Sequence, residues 1–276
     1  AHDMAKGRVA HAYLVCGPRG TGTTSTGRIL AKALNCLTNG KGEPCNSCSM
    51  CQSINEGRAL DLVEIDGASN RGIDEIRELR ERINFAPNIV RYKVYIIDEV
   101  HMLTEPAFNA LLKTLEDPPP HAKFVLATTE VHKVPLTILS RCQRFDFRRL
   151  PQAAVVKKLK EISDQEGINI ESQALALIAK AATGSLRDAE NLLEQLVLYH
   201  GSNIILEQVR EELGISDDSS IRKLAECILK KDVARGLAVI NSAAVDGVDL
   251  RQFNRGLVDY LRDLLLVKTG AEANID

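Results

Sequence analysis

The chain has 276 residues, 45% of them apolar, with 35 basic against 37 acidic side chains. That length and apolar share predict two or three folded domains and exclude a disordered chain. The near-balanced charge excludes a polyanion held by net charge, and with no Trp, five Tyr and six Phe nucleic-acid bases find few aromatic platforms.

In chain order, residues 13–16 form a short apolar run that reads as a buried strand. A glycine-rich turn follows (Gly17, Gly20, Gly22), then a helix predicted over 24–35 with Ile29, Leu30, Ala33 and Leu34 as its apolar face. Strand, glycine loop and helix in this order are the setting in which a phosphate cradle is meaningful. Gly17-x-x-x-x-Gly22 is followed by Thr23 and Thr24, where the phosphate-loop pattern has Lys and then Ser or Thr. A Thr at 23 delivers no charge, although the amides of residues 20–24 still form an anion nest. Gly27, early in the helix, is expected to cost about 1 kcal/mol relative to Ala.

Four of the seven Cys fall between Cys36 and Cys51. Cys45-x-x-Cys48-x-x-Cys51, nine residues after Cys36, fits a closed tetrahedral structural zinc site. Residues 38–44 offer no core side chains, so a metal can stand in for a core there. An iron–sulfur ligand set is the competing reading, though its Cys-Pro companion is absent, and a cluster without metal is the third. Cys16, Cys142 and Cys227 are scattered like free thiols of a reducing compartment, which predicts a cytoplasmic protein. No apolar run approaches the roughly 18–20 residues of a membrane span, and no signal peptide opens the chain. The missing initiator Met and the amphipathic last segment suggest cuts from a longer protein.

Further apolar runs at 62–65, 94–97 and 124–127 predict strands, and 73–84 and 105–116 predict helices. The last of these helices starts after Thr104, a good N-cap residue, and stops before three prolines at 118–120. Residues 1–150 therefore read as an α/β domain with a parallel sheet covered on both faces, its ligands beyond the carboxyl ends of the strands. Asp98 and Glu99 close one such strand. Asp98 suits a Mg²⁺ contact and Glu99 the attacking water, with a solvated strand end as the plainer alternative. From Pro151 onward no strand is predicted. Helices over 153–166, 171–182 and 185–200 make a second domain, 151–208. A third helical run over 207–269, with Leu257, Leu261 and Leu264 on one face, opens a domain at 209–276, and residues 214–219 read as a linker.

The glycine loop, the Cys cluster, Asp98-Glu99-Val-His101, Ala127-Thr-Thr129, Ser140-Arg141-Cys142 and Gly184-Ser-Leu-Arg187 occur in one order. In that order they resemble the AAA+ ATPases of bacterial clamp loaders, the tau/gamma subunits of DNA polymerase III. The resemblance is strong over residues 7–208 and weaker over 209–276. It implies an AAA+ P-loop parallel sheet with an inserted zinc module at about 36–51, a helical lid, and the start of an all-α collar. It further implies ATP with Mg²⁺ held by Gly17, Gly20, Thr21, Gly22, Thr23, Thr24 and Ser25, with Thr24 and Asp98 on the ion. Glu99 becomes the catalytic carboxylate and Thr129 the γ-phosphate sensor. Arg141 becomes an arginine finger acting in trans, and Arg187 the lid residue reaching the nucleotide. Cys36, Cys45, Cys48 and Cys51 would bind structural Zn²⁺. The implied partners are the other subunits of a hetero-oligomeric ring, the sliding clamp, and primed template DNA contacted through phosphates near Asn70, Arg71 and Thr104, where helix starts offer free N–H groups. No membrane partner is implied.

Two departures from the family pattern shape the expectation. A charge-assisted hydrogen bond contributes roughly 1.5–3 kcal/mol, so Thr23 in place of Lys predicts weakened nucleotide binding and poor hydrolysis. An N-terminal segment that encloses the base is reduced to its tail at about 6–11. The alternative is a non-hydrolysing scaffold and arginine-finger donor of the same loader, like a delta-prime subunit. A zinc-dependent DNA-binding protein is disfavoured, because the Cys cluster lacks basic and aromatic surroundings.

Overall fold

Five parallel strands build the sheet of the first half in the computed structural model, which describes residues 9–38, 42–87, 89–214, 218–245 and 247–269. They are β1 (Ala12–Cys16), β2 (Leu62–Asp66), β3 (Lys93–Asp98), β4 (Ala122–Thr128) and β5 (Gln143–Asp146), and across the sheet they run β2-β3-β4-β1-β5. Helices α1 (Thr23–Asn35), α2 (Ser49–Asn55), α3 (Ile73–Ile83), α4 (Glu105–Glu116) and α5 (Leu136–Leu139) lie between them.

Alternate side chains along each strand enter opposite cores, the period of two that a pleated strand imposes. Leu14, Tyr95, Ile97, Phe124 and Leu126 pack with Ile76 and Leu79 of α3 and Phe108 and Leu111 of α4. Val15, Val94, Ile96 and Val125 pack on the other face with Ala31 of α1 and Ile54 of α2. Each such side chain contributes about 1.5–3 kcal/mol on burial, and this is why the strands read as unbroken apolar runs.

Register positions the site. Cys16 pairs with Thr128, and the ladder continues as the Gly17 N–H donates to the Thr128 carbonyl at 3.1 Å. The ends of β1, β4 and β3 are therefore neighbours, and the glycine loop, Thr129 and Asp98-Glu99 emerge side by side.

Several expectations need correction. The sheet has a fifth strand, β5, whose four residues are all exposed; at the sheet edge, beside β1, it needs no apolar run. Helix α2, within the Cys module, is too short to show periodicity. The inward face of α1 is Gly27, Ala31 and Asn35, flanked by Leu30 and Leu34, while Ile29 is half exposed. Gly27 is also more than a propensity cost: a Cβ there would stand 3.0 Å from Ile96 Cδ1 and 3.3 Å from Val125 Cγ1. The glycine lets α1 lie close on the sheet. Thr104 holds the N-cap position of α4, but its side chain makes no capping bond, and Pro106 in the first turn supports the helix start instead.

The chain divides into two compact units, residues 1–149 and 150–276. In the second, α6 (Gln152–Glu166), α7 (Ser172–Ala181), α8 (Leu186–His200) and α9 (Leu206–Glu212) share a core that includes Val155, Leu159, Ile178, Leu193, Leu196 and Val209. Two short strands, β6 (Asn169–Ile170) and β7 (Asn203–Ile204), pair in parallel there, where none was expected. Helices α10 (Asp218–Lys230), α11 (Val233–Val245) and α12 (Leu250–Thr269) share a smaller core of Ile221, Leu224, Ala243 and Phe253. Leu257 packs against it, but Leu264 is exposed, so the predicted apolar face of α12 is only partly covered. Of the expected linker, residues 215–217 lie outside the described residues, and helix resumes at Asp218.

Candidate phosphate and metal sites

The glycine loop wraps the start of α1. Gly17 has no room for a side chain, since a Cβ would stand 2.6 Å from Phe147 Cβ. Thr21 Oγ1 donates to the Pro18 carbonyl at 2.7 Å, bracing the turn. Gly22 caps α1 in the left-handed conformation (φ 91°) that glycine alone adopts freely. Among the described residues, no backbone N–H from residue 20 to 25 has a hydrogen-bond partner, and the first turn of α1 carries no carboxylate. Free donors at a positive helix end make an anion site. Ser25 is exposed, and the Thr23 hydroxyl has no partner among the described residues. Cations further along α1 are committed elsewhere. Arg28 holds Glu64 through two bonds of 2.7 and 2.6 Å, and Lys32 donates to Asn46 at 2.8 Å and Asn55 at 2.9 Å. Neither is free to replace the missing lysine.

Thr24 crosses to the acidic strand end: its hydroxyl donates to Asp98 Oδ2 at 2.6 Å. The other oxygen of Asp98 accepts the Glu99 N–H at 2.9 Å. Glu99 itself sits in the left-handed region (φ 45°, ψ 44°), a conformation costing a non-glycine residue roughly 1–2 kcal/mol. Its carboxylate accepts from Thr129 Oγ1 at 3.2 Å. Thr24, Asp98, Glu99 and Thr129, predicted from separate stretches, thus form one connected group. Three further residues join it: His101 and Thr128, which the sequence reading named only within its motifs, and Glu130, which it did not name. His101 Nδ1 lies 3.0 Å from Thr128 Oγ1 and 3.4 Å from Glu99 Oε2, while Nε2 lies 3.6 Å from Glu130 Oε1. The Lys133 ammonium holds the Glu130 carboxyl below its usual range. His101 and Thr128 stand in separate motifs, and only pairing of β4 with β1 and β3 shows that they touch.

The remaining expected residues of the first unit hydrogen-bond elsewhere. Arg141 donates to Glu116 Oε1 at 2.7 Å and to the Thr137 carbonyl at 2.7 Å, which parks it at the carboxyl end of α4. Arg187 is exposed at the start of α8, in the second unit, with no ion pair among the described residues. Arg71 and Thr104 are brought together, the Thr104 N–H donating to the Arg71 carbonyl at 3.1 Å. The donors expected to be free there are largely spent. Ser69 and Asn70 N–H groups donate to the Asp66 carbonyl, as does the Asn70 amide, and Arg71 Nε donates to Ala68. Asp74, Glu75 and Glu105 occupy the adjoining first helical turns, where they repel phosphate.

The four sulfur atoms of Cys36, Cys45, Cys48 and Cys51 lie within 4.8 Å of one another. A tetrahedral ion with bonds near 2.3 Å separates its sulfurs by about 3.8 Å, so the donor set and spacing fit Zn²⁺. Hydrogen bonding from the Thr38 and Ser47 side chains draws Cys45 down to about 5, whereas burial pushes Cys51 up to about 12. A divalent cation among the four sulfurs would favour the thiolate form of each. The Cys45 sulfur accepts the Cys48 N–H at 3.2 Å and the Cys36 sulfur accepts the Cys45 N–H at 3.4 Å, the pattern of backbone support such ligands need. The Lys32 bonds to Asn46 and Asn55 tie this module to α1.

A parallel sheet in the order β2-β3-β4-β1-β5, with a glycine loop after β1 and an Asp-Glu pair at the end of β3 two strands away, defines an AAA+ phosphate-loop protein. Comparison with known proteins narrows the class. Residues 1–151 match the family described as DNA polymerase III, delta subunit; residues 154–202 match the DNA polymerase III clamp loader subunit, ATPase lid domain; and residues 204–276 match DNA polymerase III subunits gamma and tau domain III. The chain is 48% identical over 262 residues to DNA polymerase III subunit tau of Bacillus subtilis, covering 95% of this chain and 46% of that protein. It is 42% identical over 273 residues to subunit tau of Escherichia coli, covering 99% and 42%. With subunit gamma of Buchnera aphidicola from Acyrthosiphon pisum it shares 40% over 269 residues, covering 98% and 74%. The chain belongs to the DNA polymerase III tau/gamma clamp-loader family. It spans under half the length of the two tau relatives. A solved structure of the Thermotoga maritima RuvB Holliday junction branch migration motor superposes with a TM-score of 0.56 at 20% identity, covering 94% of this chain and 83% of that one, a likeness of fold alone.

Proposed function

We propose that this chain is the nucleotide-dependent part of a clamp-loader subunit, working with other subunits to place a sliding clamp on primed DNA. The observation that carries the reading is the 2.6 Å bond from Thr24 to Asp98, which joins the anion-binding loop to the acidic strand end. With ATP in the loop, amides of residues 20–25 would bind its phosphates, and Thr24 and Asp98 would hold Mg²⁺. The ion supplies charge neutralisation on the phosphates. Glu99 would orient and deprotonate the attacking water, with Thr129 beside it to read the γ-phosphate. Arg141 would serve a neighbouring subunit's nucleotide after leaving Glu116, and Arg187 would act from the lid. Cys36, Cys45, Cys48 and Cys51 would hold structural Zn²⁺. The domain roles follow the same reading: an ATPase domain to about residue 150, a lid to about 208, and the start of a collar beyond.

Thr23 makes hydrolysis slow in this reading, because no cation of α1 is free to replace the lysine. That observation also favours the second reading, a scaffold that binds nucleotide weakly and donates Arg141. DNA contact rests on Arg71, since the neighbouring helix starts are acidic. Among the described residues no helix is long and apolar enough to cross a membrane, and the described cysteines are all free, in keeping with a cytoplasmic setting.

Binding of a fluorescent ATP analogue, with and without Mg²⁺, tests the proposal. Asp98→Asn should abolish the Mg²⁺-dependent part of the affinity. Mg²⁺-dependent binding that survives both Asp98→Asn and Thr24→Ala would refute the assignment of the site.

A further inference from the structure

His101 lies in the single 3-10 turn Val100–Met102 that follows Glu99, with its side chain only 5% exposed. The turn is anchored by the fully buried Val100, and the Met102 N–H donates to the Glu99 carbonyl at 2.9 Å. Its ring bridges two strand ends. On one side Nδ1 faces Thr128 Oγ1 at 3.0 Å and Glu99 Oε2 at 3.4 Å. On the other, Nε2 faces Glu130 Oε1 at 3.6 Å. Thr128 is itself 2% exposed and accepts the Glu130 N–H at 3.0 Å, so the ring rests on a fixed oxygen at the end of β4.

The Glu99 carboxylate sits on three rotatable bonds and, among the described residues, has two side-chain neighbours within reach, Thr129 and His101. Thr129 is exposed and stands where a phosphate would compete for its hydroxyl. Once it turns to a phosphate, the buried imidazole is the remaining restraint on Glu99. We propose that His101 is a positioning residue for Glu99: with Nδ1 seated on the buried Thr128 hydroxyl, the ring stands 3.4 Å from Oε2 and restrains where that carboxylate rests. The inference rests on the reading of Glu99 as the water-activating group. The plainer role for His101 is a structural tether of the Val100–Met102 turn to β4, with no bearing on Glu99.

The two roles separate in single-turnover ATP hydrolysis by the full-length protein assembled with its partner subunits, with protein in excess so that slow chemistry is measurable. Asn places an amide where Nδ1 sits, Gln places one near Nε2, and Leu supplies volume alone. His101→Leu and His101→Gln should slow the hydrolysis step about tenfold, with ATP affinity changed less than about twofold, while His101→Asn stays within about threefold of the parent. Adding His101→Leu to Glu99→Gln should cost nothing further, since the group being positioned is gone. Equal rates in all three variants, or a full further loss in the Glu99→Gln background, would overturn the inference. If Glu99→Gln alone leaves turnover intact, both this inference and the reading beneath it fall. Should His101→Leu fold poorly, the contrast between Asn and Gln still decides.

Discussion

Gly27 lets the phosphate-loop helix lie close on the sheet, and enlarging it tests the packing that holds the site. A Cβ there meets Ile96 Cδ1 at 3.0 Å and Val125 Cγ1 at 3.3 Å, against an ordinary carbon–carbon separation of about 3.5–4.0 Å. Ile96 and Val125 are 1% and 0% exposed, so neither can move aside into solvent. Gly27→Ala gains about 1 kcal/mol of helix propensity and loses a similar amount to the close contact, for a small net change. Gly27→Val adds two methyl groups in the same space and a β-branched penalty in the helix, and overpacking of this kind costs typically 1–3 kcal/mol. Roughly 2–3 kcal/mol lowers the midpoint of thermal unfolding by about 5–12 °C for a unit of this size. Displacing α1 also carries Thr23, Thr24 and Ser25 off the loop, so nucleotide affinity should fall together with stability. Calorimetric melting and ATP titration of the same samples measure both. Gly236 in α11 is the control: a Cβ there finds its nearest neighbours at 3.6 Å, so Gly236→Ala should stabilise by about 0.4–1 kcal/mol. A Gly27→Val protein that melts within 1 °C of the parent and binds ATP equally well would refute the packing argument.

Metal analysis should find one zinc per chain, and Cys51→Ser, which removes the one fully buried ligand of the four, should abolish it; folded protein with no bound zinc contradicts the assignment. Burial, reinforced by Arg91, holds the Lys123 ammonium below the usual lysine range. Below that depressed value both folded and unfolded chains carry the charge and the burial penalty is present in full. Between it and about 10.5 the folded chain releases its proton first, so stability rises with pH. Lys123→Met should remove that rise in urea melts compared between pH 8 and 10.5; identical slopes in the two proteins would rule it out.

Much of the first unit was legible because its strands are covered on both faces. Residues such as Val94, Tyr95, Ile96 and Ile97 must all be apolar, whichever core each enters. The edge strand β5 was not legible, since Gln143, Arg144, Phe145 and Asp146 face solvent and satisfy no core. The helix starts read well, but capping did not: Thr104 has the right side chain without the bond, whereas Ser185 accepts the Asp188 N–H at 3.3 Å. The Cys cluster was visible as spacing, because four thiols have few other reasons to crowd a stretch that lacks core residues. In the phosphate site, motif residues were visible one stretch at a time, and their connection through Thr24, Asp98, Glu99 and Thr129 followed from register. His101 and Thr128 were legible as members of two motifs but not as partners, and Gly27 looked like a flaw until the distance to Ile96 gave it a purpose.

The central claim is that the phosphate site is intact in shape and deficient in charge at one position. Steady-state ATP turnover by the assembled full-length protein, with Thr23 and again with Thr23→Lys, addresses it directly. Restoring a cation where transition-state charge develops should raise turnover on the order of 10²-fold or more. Equal and robust turnover in the two proteins would contradict the claim and show that Thr23 does not disable the site.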